Sequence, residues 1–414
     1  MATVGVIGLG YVGLPLAAAF AAEGCDVVAV DTDERRVAAI AAGTSYVEDI
    51  SDEDLRAVAG RITASTSYDG LGAADAVLLC VPTPLTANRE PDLGPLDACA
   101  AELAKVLRAG QLVVLESTTF PGTTRGRLAG ALEASGLRAG EDFDLAYSPE
   151  RVDPGRTDFT LRNTPKLVGA VNEQGAARAA ELYALVCDDV RVLSGPEAAE
   201  LAKLLENIFR SVNIALVNEL AMLTDRMGID VWEVIDAAAT KPYGFMRFTP
   251  GPGMGGHCLP VDPFYLSWRA REFDMSAEFV ELAGKINQQM PYHCVAKAQR
   301  VLNAHRRPVE GSRVAVIGVA YKPGVSDLRE SPALKIIELL RALGAEVGYH
   351  DPHVPVVEEL GLQSTGLKEL AQGAELSIIV TAHPGVDHDE LALLSEMVLD
   401  LRGVASPAEN VVRL

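Results

Sequence analysis

Residues 3–31 run through a strand, a glycine-rich turn, a helix, a second strand and an acid. Thr3-Val4-Gly5-Val6-Ile7 is a β-branched run, Gly8-Leu9-Gly10-Tyr11-Val12-Gly13 follows, Leu14 to Glu23 reads as helix, and Asp26 to Val30 reads as a strand ended by Asp31. Few folds accept this order. The first glycine makes a tight turn, the second lets backbone amides approach a pyrophosphate, and the third lets the helix lie close on the strand. The helix N-terminus then faces the phosphates. Asp31 stands 18 residues past Gly13, where an acid accepts a ribose diol and repels a 2′-phosphate. The expected cofactor is therefore NAD rather than NADP, a preference that Arg35 and Arg36 soften. Gly8, Gly10, Tyr11, Val12, Gly13, Asp31 and Arg36 are the expected cofactor residues.

Two later segments, Ala76 to Val81 and Leu112 to Glu116, are apolar throughout and lead into Pro82-Thr83-Pro84 and Ser117-Thr118-Thr119. Such runs suit a parallel sheet covered on both faces, and ligands of these sheets bind beyond the strand C-termini. Thr83 and Thr118 are thus candidate cofactor- or water-binding hydroxyls; turn and capping chemistry is their other use. Phe143 to Tyr147 ends in Ser148-Pro149-Glu150-Arg151, which places Glu150 at the same kind of strand end.

Ser194-Gly195-Pro196-Glu197 predicts a capping box at the start of a long helix. Leu201, Leu204, Leu205, Ile208, Val212 and Ala215 recur at helical spacing, and the pattern continues through Met227 to a stop at Gly228. Lys203 and Asn207 are i,i+4 neighbours on this helix. Val231 to Ala239 and Ala277 to Leu302 predict two more helices, the second running past Pro291. Long helices with two apolar faces between two α/β halves predict a dimer core.

The last third repeats the opening plan. Ser312 to Ala320 is a strand with Gly318 near its end, a polar loop carries Lys322 and Arg329, Ala333 to Leu343 is a helix, and Glu346 to Tyr349 with Asp351 forms the next strand. The second and third fingerprint glycines are missing. Phosphate or nucleotide binding here would fall to Lys322 and Arg329, whose other use is ion pairing with neighbours such as Glu330. The expected fold is α/β: two Rossmann-like doubly wound parallel-sheet domains (1–193 and 306–414) joined by a central helical dimerisation region (194–305).

The run from Pro250 to Pro263 contains four glycines, four prolines and Cys258. Glycine permits positive φ and close approach, while proline fixes φ and removes a donor, so a stiff irregular loop is expected. A buried structural cysteine needs no such frame. A nucleophile does, because its reach must be held tightly. Asp262 lies four residues further on. A zinc site using His257 and Cys258 lacks a second ligand pair at suitable spacing, so no metal is expected.

Composition narrows the partners. The 414 residues carry a net charge of −21, with 49% hydrophobic and 22% charged residues. That balance argues against nucleic acid and anionic membrane as partners, but leaves room for a small anionic ligand held by local cations. The six cysteines form no CxxC pair. No apolar run is long enough to span a bilayer, and Met1-Ala2-Thr3-Val4 leads straight into a strand without a signal-peptide pattern. A reducing, cytoplasmic setting with Cys258 as a free thiol is expected.

Taken in order, several motifs resemble the UDP-glucose/GDP-mannose dehydrogenase family: Gly-Leu-Gly-Tyr-Val-Gly-Leu-Pro at 8–15, Val-Pro-Thr-Pro at 81–84, Glu-Ser-Thr-Thr at 116–119, Ser-Pro-Glu-Arg at 148–151, Glu-Leu-Ala-Lys-Leu-Leu-Glu-Asn at 200–207, Gly-Gly-His-Cys-Leu-Pro-Val-Asp-Pro at 255–263 and Gly-Val-Ala-Tyr-Lys-Pro at 318–323. The resemblance covers essentially the whole chain. It implies oxidation of C6 of a nucleotide-linked hexose to a carboxylate with two NAD, through a thiohemiacetal and thioester on Cys258. Lys203 and Asn207 then match the residues that stabilise the oxyanion. Glu150, with Thr118 and Asp262, matches the group that handles water and protons. Glu150, Arg151, Lys203, Asn207, Gly255, Gly256 and Lys322 fall to the substrate, and Arg329 to the cofactor. His257 before the cysteine, Val261 in place of the lysine of UDP-glucose enzymes, and Ser-Pro-Glu-Arg-Val-Asp-Pro-Gly look like the UDP-N-acetylglucosamine/UDP-N-acetylmannosamine branch. Lys241-Pro242-Tyr243-Gly244 stands where the UDP-glucose enzymes carry Arg-Ile-Gly, and Arg247 is a candidate replacement for that cross-subunit arginine. UDP-glucose and TDP-glucose stay open as substrates. So do a two-electron dehydrogenase and a binding protein without catalysis.

Overall fold

The computed structural model describes residues 2–47, 49–86, 88–152, 158–256 and 261–414. The chain divides into two compact units, one of Met1–Glu206 with Phe264–Met275, the other of Asn207–Pro263 with Ser276–Leu414.

The first unit is built on an eight-stranded sheet. Its strands are β1 (Thr3–Ile7), β2 (Asp26–Val30), β3 (Ile62–Ser65), β4 (Ala76–Leu79), β5 (Leu112–Leu115), β6 (Asp144–Tyr147), β7 (Lys166–Ala170) and β8 (Val190–Val192), in the order β3-β2-β1-β4-β5-β6-β7-β8. The strand order reverses between β1 and β4, which is where such sheets open a ligand crevice. Every residue of β4, β5 and β6 is buried, as apolar runs in a sheet covered on both faces require. The helix Gly13–Ala22 buries Leu14, Ala17 and Phe20 in the core that also holds Val4, Val6, Val27 and Leu78. Among the described residues, β6 with β7 is the one antiparallel pairing between neighbouring strands of this sheet.

The second unit holds a five-stranded parallel sheet: β9 (Arg313–Ile317), β10 (Glu346–His350), β13 (Leu376–Ile379), β14 (Val398–Asp400) and β15 (Val411–Arg413), ordered β10-β9-β13-β14-β15. A two-stranded ladder of β11 (Val356–Val357) and β12 (Leu362–Gln363) lies between β10 and β13 in sequence. The helix Glu278–Ala304 buries Met290, Cys294, Ala298 and Leu302 in one core with Val314, Val316, Ile336, Leu340 and Leu399. The long helix Pro196–Met227 begins in the first unit and continues in the second. The α/β class and both Rossmann-like sheets therefore agree with the sequence reading.

Two local expectations change. The expected Ser194–Glu197 capping box is displaced, because the helix begins at Pro196 with side-chain-less Gly195 before it; the Glu197 carboxylate pairs with Arg125 at 2.6 Å. The irregular loop also ends sooner than Pro263, since Asp262 and Pro263 open the helix Asp262–Ala270. Proline suits a helix's first turn, where its missing N–H would have had no partner.

Both sheets use the same turn. Gly8 has φ +89°, and a Cβ there would sit 2.6 Å from the Cys80 carbonyl oxygen; Gly318 has φ +80°, and its Cβ would sit 2.1 Å from the Thr381 carbonyl oxygen. Each glycine is needed twice, for its φ and for the strand it crosses. Gly311 has φ +78° with nothing within 4 Å of a Cβ. Gly311→Ala should cost about 1 kcal/mol for strain alone, and Gly318→Ala clearly more. Urea denaturation of the two variants checks this; equal losses would mean the contact with Thr381 is unimportant.

Candidate functional site

The glycine turn of the first unit fits a dinucleotide. A Cβ on Gly13 would lie 1.8 Å from the Gly8 carbonyl oxygen, so only glycine lets the helix start this close to β1. At Gly10 a Cβ would meet only the Arg36 guanidinium, at 3.9 Å, which leaves its backbone approachable. No side chain caps the helix that begins at Gly13, but Leu14 N donates to the Gly10 carbonyl at 3.2 Å and Pro15 has no N–H, so of the first turn at most the Gly13 amide is left for an anion. Asp31 is buried; one carboxylate oxygen accepts from Leu9 N at 2.7 Å and from Arg36 at 3.1 Å, the other from Asp33 N at 2.9 Å. Arg36 lies 5.8 Å over the Tyr46 ring, and the Tyr46 hydroxyl donates to the Leu9 carbonyl at 2.7 Å. Burial pushes the Tyr46 phenol well up, so it remains a donor. Sequence reading passed over Tyr46, because nothing in its spacing ties it to the turn.

The two threonines meet beyond β4 and β5. The Thr83 hydroxyl donates to the Thr118 carbonyl at 2.8 Å, and the Tyr265 hydroxyl donates to the Thr83 carbonyl at 3.0 Å. The Thr83 proton is therefore spent on bracing Thr118, and Thr83 keeps only acceptor capacity. Past β6, one oxygen of Glu150 accepts from the backbone amides of Arg151 at 2.7 Å and Val152 at 2.5 Å. The Arg151 guanidinium pairs with Glu206 at 2.8 Å and donates to the Pro165 carbonyl at 2.5 Å. Its charge is thus already engaged within the unit. Lys203 is 8% exposed on the long helix, and among the described residues its ammonium has no hydrogen-bond or ion-pair partner.

In the second unit, Asn207 Nδ2 donates to Asp262 Oδ2 at 2.5 Å, with both side chains buried. This joins two expected site residues that lie 55 positions apart. Residues 251–256 are held from several sides. Asn218 Oδ1 accepts from Gly251 N at 2.9 Å, Asn218 Nδ2 donates to Asn287 Oδ1 at 2.9 Å, and Asn287 Nδ2 donates to the Ser211 carbonyl at 3.1 Å. Asparagine is a poor helix former, and two of them inside long apolar helices were the available sign of this anchor. Gly256 N donates to the Arg329 carbonyl at 2.9 Å, while Cβ atoms on Gly255 and Gly256 would press on Tyr321 at 2.7 and 2.8 Å. Packing alone thus demands glycine at both positions. Lys322 lies 5.8 Å over the Tyr321 ring, and Arg329 pairs with Asp327 at 2.6 Å rather than with Glu330. Arg247 is exposed and donates to Asp236 at 2.7 Å. His257 and Cys258 lie outside the described residues, as do positions 153–157 of the Ser-Pro-Glu-Arg-Val-Asp-Pro-Gly run.

The five described cysteines are free, and none offers a ready thiolate. Burial pushes Cys187 up to about 11 and Cys99 and Cys294 up to about 12, and it raises Cys25 and Cys80 as well. Thiolate is the reactive form, so these positions are packing residues.

Comparison with known proteins places these features in a family. Models described as the UDP-glucose/GDP-mannose dehydrogenase family NAD binding, central and UDP binding domains match residues 2–187, 197–289 and 315–407. A UDP-N-acetyl-D-mannosamine dehydrogenase of Pyrococcus horikoshii is 38% identical over 92% of this chain and 89% of the relative. A UDP-N-acetyl-D-glucosamine 6-dehydrogenase of Pseudomonas aeruginosa is 34% identical over 88% of this chain and 86% of the relative. The solved structure of the UDP-D-ManNAc dehydrogenase from Pyrococcus horikoshii superposes with a TM-score of 0.90 at 34% identity, covering 99% of this chain and 98% of that one.

One buried acid has no place in the sequence reading. Glu200, in the first turns of the long helix, accepts from Gly122 N at 2.7 Å, Thr124 N at 2.9 Å and the Thr124 hydroxyl at 2.7 Å. Burial pushes its carboxyl up to about 7, against the hydrogen bonds that favour the anion. The folded state therefore binds the proton more tightly than the unfolded one, and this acid's contribution to stability is lost as pH rises from about 4.5 to about 7. Glu200→Gln should be less stable than the parent at pH 5, with the gap narrowing by up to about 3 kcal/mol by pH 8. Thermal unfolding across that range checks it; a constant gap would show that Glu200 does not titrate there.

Proposed function

The chain belongs to the UDP-glucose/GDP-mannose dehydrogenase family and is an NAD-dependent nucleotide-sugar dehydrogenase, and from that premise we propose that it oxidises C6 of a UDP-N-acetylhexosamine to a carboxylate. The observation that carries this reading is the bond from Asn207 to Asp262 at 2.5 Å, which joins two of the expected site residues. Asn207 follows Lys203 by one helical turn, so the contact brings the face of the helix that carries Lys203 next to Asp262. NAD, when bound at the Gly8–Gly13 turn, supplies the hydride acceptor. Lys203 and Asn207 stabilise the oxyanion that develops on C6. Cys258 holds the intermediate aldehyde as a thiohemiacetal and, once that is oxidised, as a thioester. Glu150, with Thr118 and Asp262, orients the water that releases the acid and regenerates the thiol.

The sugar is read as N-acetylmannosamine or N-acetylglucosamine on UDP. His257 and Val261 favour that branch, and the two relatives above are named for these substrates. Tyr321, Lys322 and the Gly255-Gly256 backbone are assigned to the sugar nucleotide, and Arg329 to the cofactor. The setting is read as cytoplasmic, which keeps Cys258 reduced. Among the described residues no helix is long and apolar enough to cross a membrane.

A homodimer completes the reading. Phe209, Leu216, Leu220, Leu223 and Met227 are exposed at heptad-like spacing along the long helix, and Phe279 and Leu282 are exposed on Glu278–Ala304. Exposed apolar faces of this length mark interfaces. The double change Leu220→Arg/Leu223→Arg should halve the mass measured by light scattering, and an unchanged mass would remove this helix from the interface.

The reaction itself is tested by counting NADH released over UDP-glucose, UDP-N-acetylglucosamine, UDP-N-acetylmannosamine, UDP-galactose and TDP-glucose. Two NADH per sugar are expected with an N-acetylhexosamine, and Cys258→Ser should lose at least about 10²-fold in acid formation. One NADH per sugar, or normal acid formation by the serine variant, would overturn the four-electron mechanism.

A further inference from the structure

Behind Glu150 lies a buried cation that the reading above does not use. Lys166 opens β7, and its side chain is 3% exposed. Its ammonium donates to Glu116 at 2.8 Å and to the Pro149 carbonyl at 3.1 Å, and it stands 3.8 Å from the free oxygen of Glu150. Glu116 is fully buried, and its other oxygen accepts a short hydrogen bond from the Tyr183 hydroxyl. The Tyr183 ring lies 5.0 Å from the ammonium. Lys166 thus sits between two carboxylates, one sealed in the core and one, 19% exposed, at the strand end.

The topology explains how it gets there. In a parallel pair, the start of one strand lies beside the start of the next, far from the ligand edge. β6 and β7 run antiparallel, with Tyr147 opposite Gly169 and Ala146 opposite Ala170. Continuing that register carries the start of β7 to the carboxyl end of β6, where Pro149 and Glu150 leave the sheet. The reversal of this strand is what allows a residue at its first position to reach Glu150.

We propose that Lys166 is a positioning residue for Glu150, gripping both the Pro149 carbonyl and the Glu150 carboxylate while Glu116 and Tyr183 balance its charge from the core. The inference rests on the reading of Glu150 as the group that orients the hydrolytic water. The grip is specific: backbone amides fix one oxygen of Glu150, and Lys166 faces the other. Burial works against a charged lysine here, but the carboxylates of Glu116 and Glu150 more than reverse it, so Lys166 stays protonated. Stability alone does not account for the cluster, since buried ion pairs are commonly replaceable by apolar side chains at no loss.

The test uses the full-length enzyme with NAD and the sugar nucleotide selected by the NADH count, in rapid mixing followed by intact-protein mass spectrometry. In Lys166→Met/Glu116→Gln, which removes the cation and its buried counter-charge together, the first two hydride transfers should proceed with full burst amplitude. Hydrolysis should then slow about tenfold or more, with the sugar acid accumulating as a covalent adduct and KM little changed. Lys166→Arg should restore turnover to within about threefold, because the charge is kept. If the double variant does not fold, Lys166→Gln alone gives the same slow phase. Hydrolysis at the parent rate, or loss of burst amplitude in place of a slow phase, would overturn the proposal. Glu150→Gln separates the two readings. If it accumulates adduct while the Lys166 variants do not, only the positioning role falls; if it turns over normally, the role of Glu150 falls and Lys166's with it.

Discussion

The interaction on which both units depend is a carboxylate at the end of one strand bonded to the backbone just past the end of its neighbour. Asp31 accepts from Leu9 N and Asp351 from Val319 N, each at 2.7 Å. The bond fixes the chain where it leaves the first strand of each sheet, immediately after a glycine in the left-handed region. Turned there, the backbone crosses the adjacent strand so closely that no side chain fits. In the first unit the helix then starts at Gly13, directly against the Gly8 carbonyl and without a side-chain cap.

Around that frame, charge is buried where burial is costly. Glu116, Lys166 and Glu200 lie inside the first unit, and Lys203 is nearly covered. Each of the first three meets hydrogen-bond partners that reach across large sequence separations: Glu200 joins the long helix to residues 122–124, and Lys166 joins β7 to the ends of β5 and β6. Such contacts add little net stability compared with apolar packing. What they add is direction, since a partner lost leaves a desolvated charge behind. Lys203 differs in having no side-chain partner among the described residues.

Much of the fold was legible because its signals are local. β1, β2 and the helix between them follow from a β-branched run, three glycines and an acid at fixed offsets, and the long helix from apolar spacing up to Gly228. Less legible were contacts made by topology. Lys166 reads as an ordinary lysine before an apolar strand, and only the reversal of β7 carries it to Glu150. Tyr46, Tyr265 and Asn287 likewise act through partners 37, 182 and 69 positions away. Glycine was legible at 255 and 256 as backbone that a ligand could approach, but the packing that also requires it there, against Tyr321 and the Arg329–Glu330 backbone, was not. Glu197 shows the limit of a four-residue rule: its carboxylate meets an arginine 72 positions away.

The second unit shows why one turn can serve two kinds of ligand. Gly318 and Asp351 reproduce the positions of Gly8 and Asp31, yet the helix that follows starts only at Pro332, so no helix N-terminus lies directly after the turn. The acid is engaged as well. His383, buried, contacts Asp351 Oδ2 at 2.9 Å through Nε2, while its Nδ1 accepts from Gly324 N at 3.2 Å. That assignment puts the proton on Nε2 and makes His383 the donor. Burial alone would raise Asp351, but His383 and the amides of Ala320, Val319 and His353 hold it down to about 2. The carboxylate is thus ionised and saturated, with little capacity left for a ribose diol. A ligand of this unit would therefore have to be met by groups outside the turn. In the second sheet the glycine and acid of the turn therefore serve to brace residues 319–324, through Asp351 on Val319 and Ala320 and through His383 on Gly324.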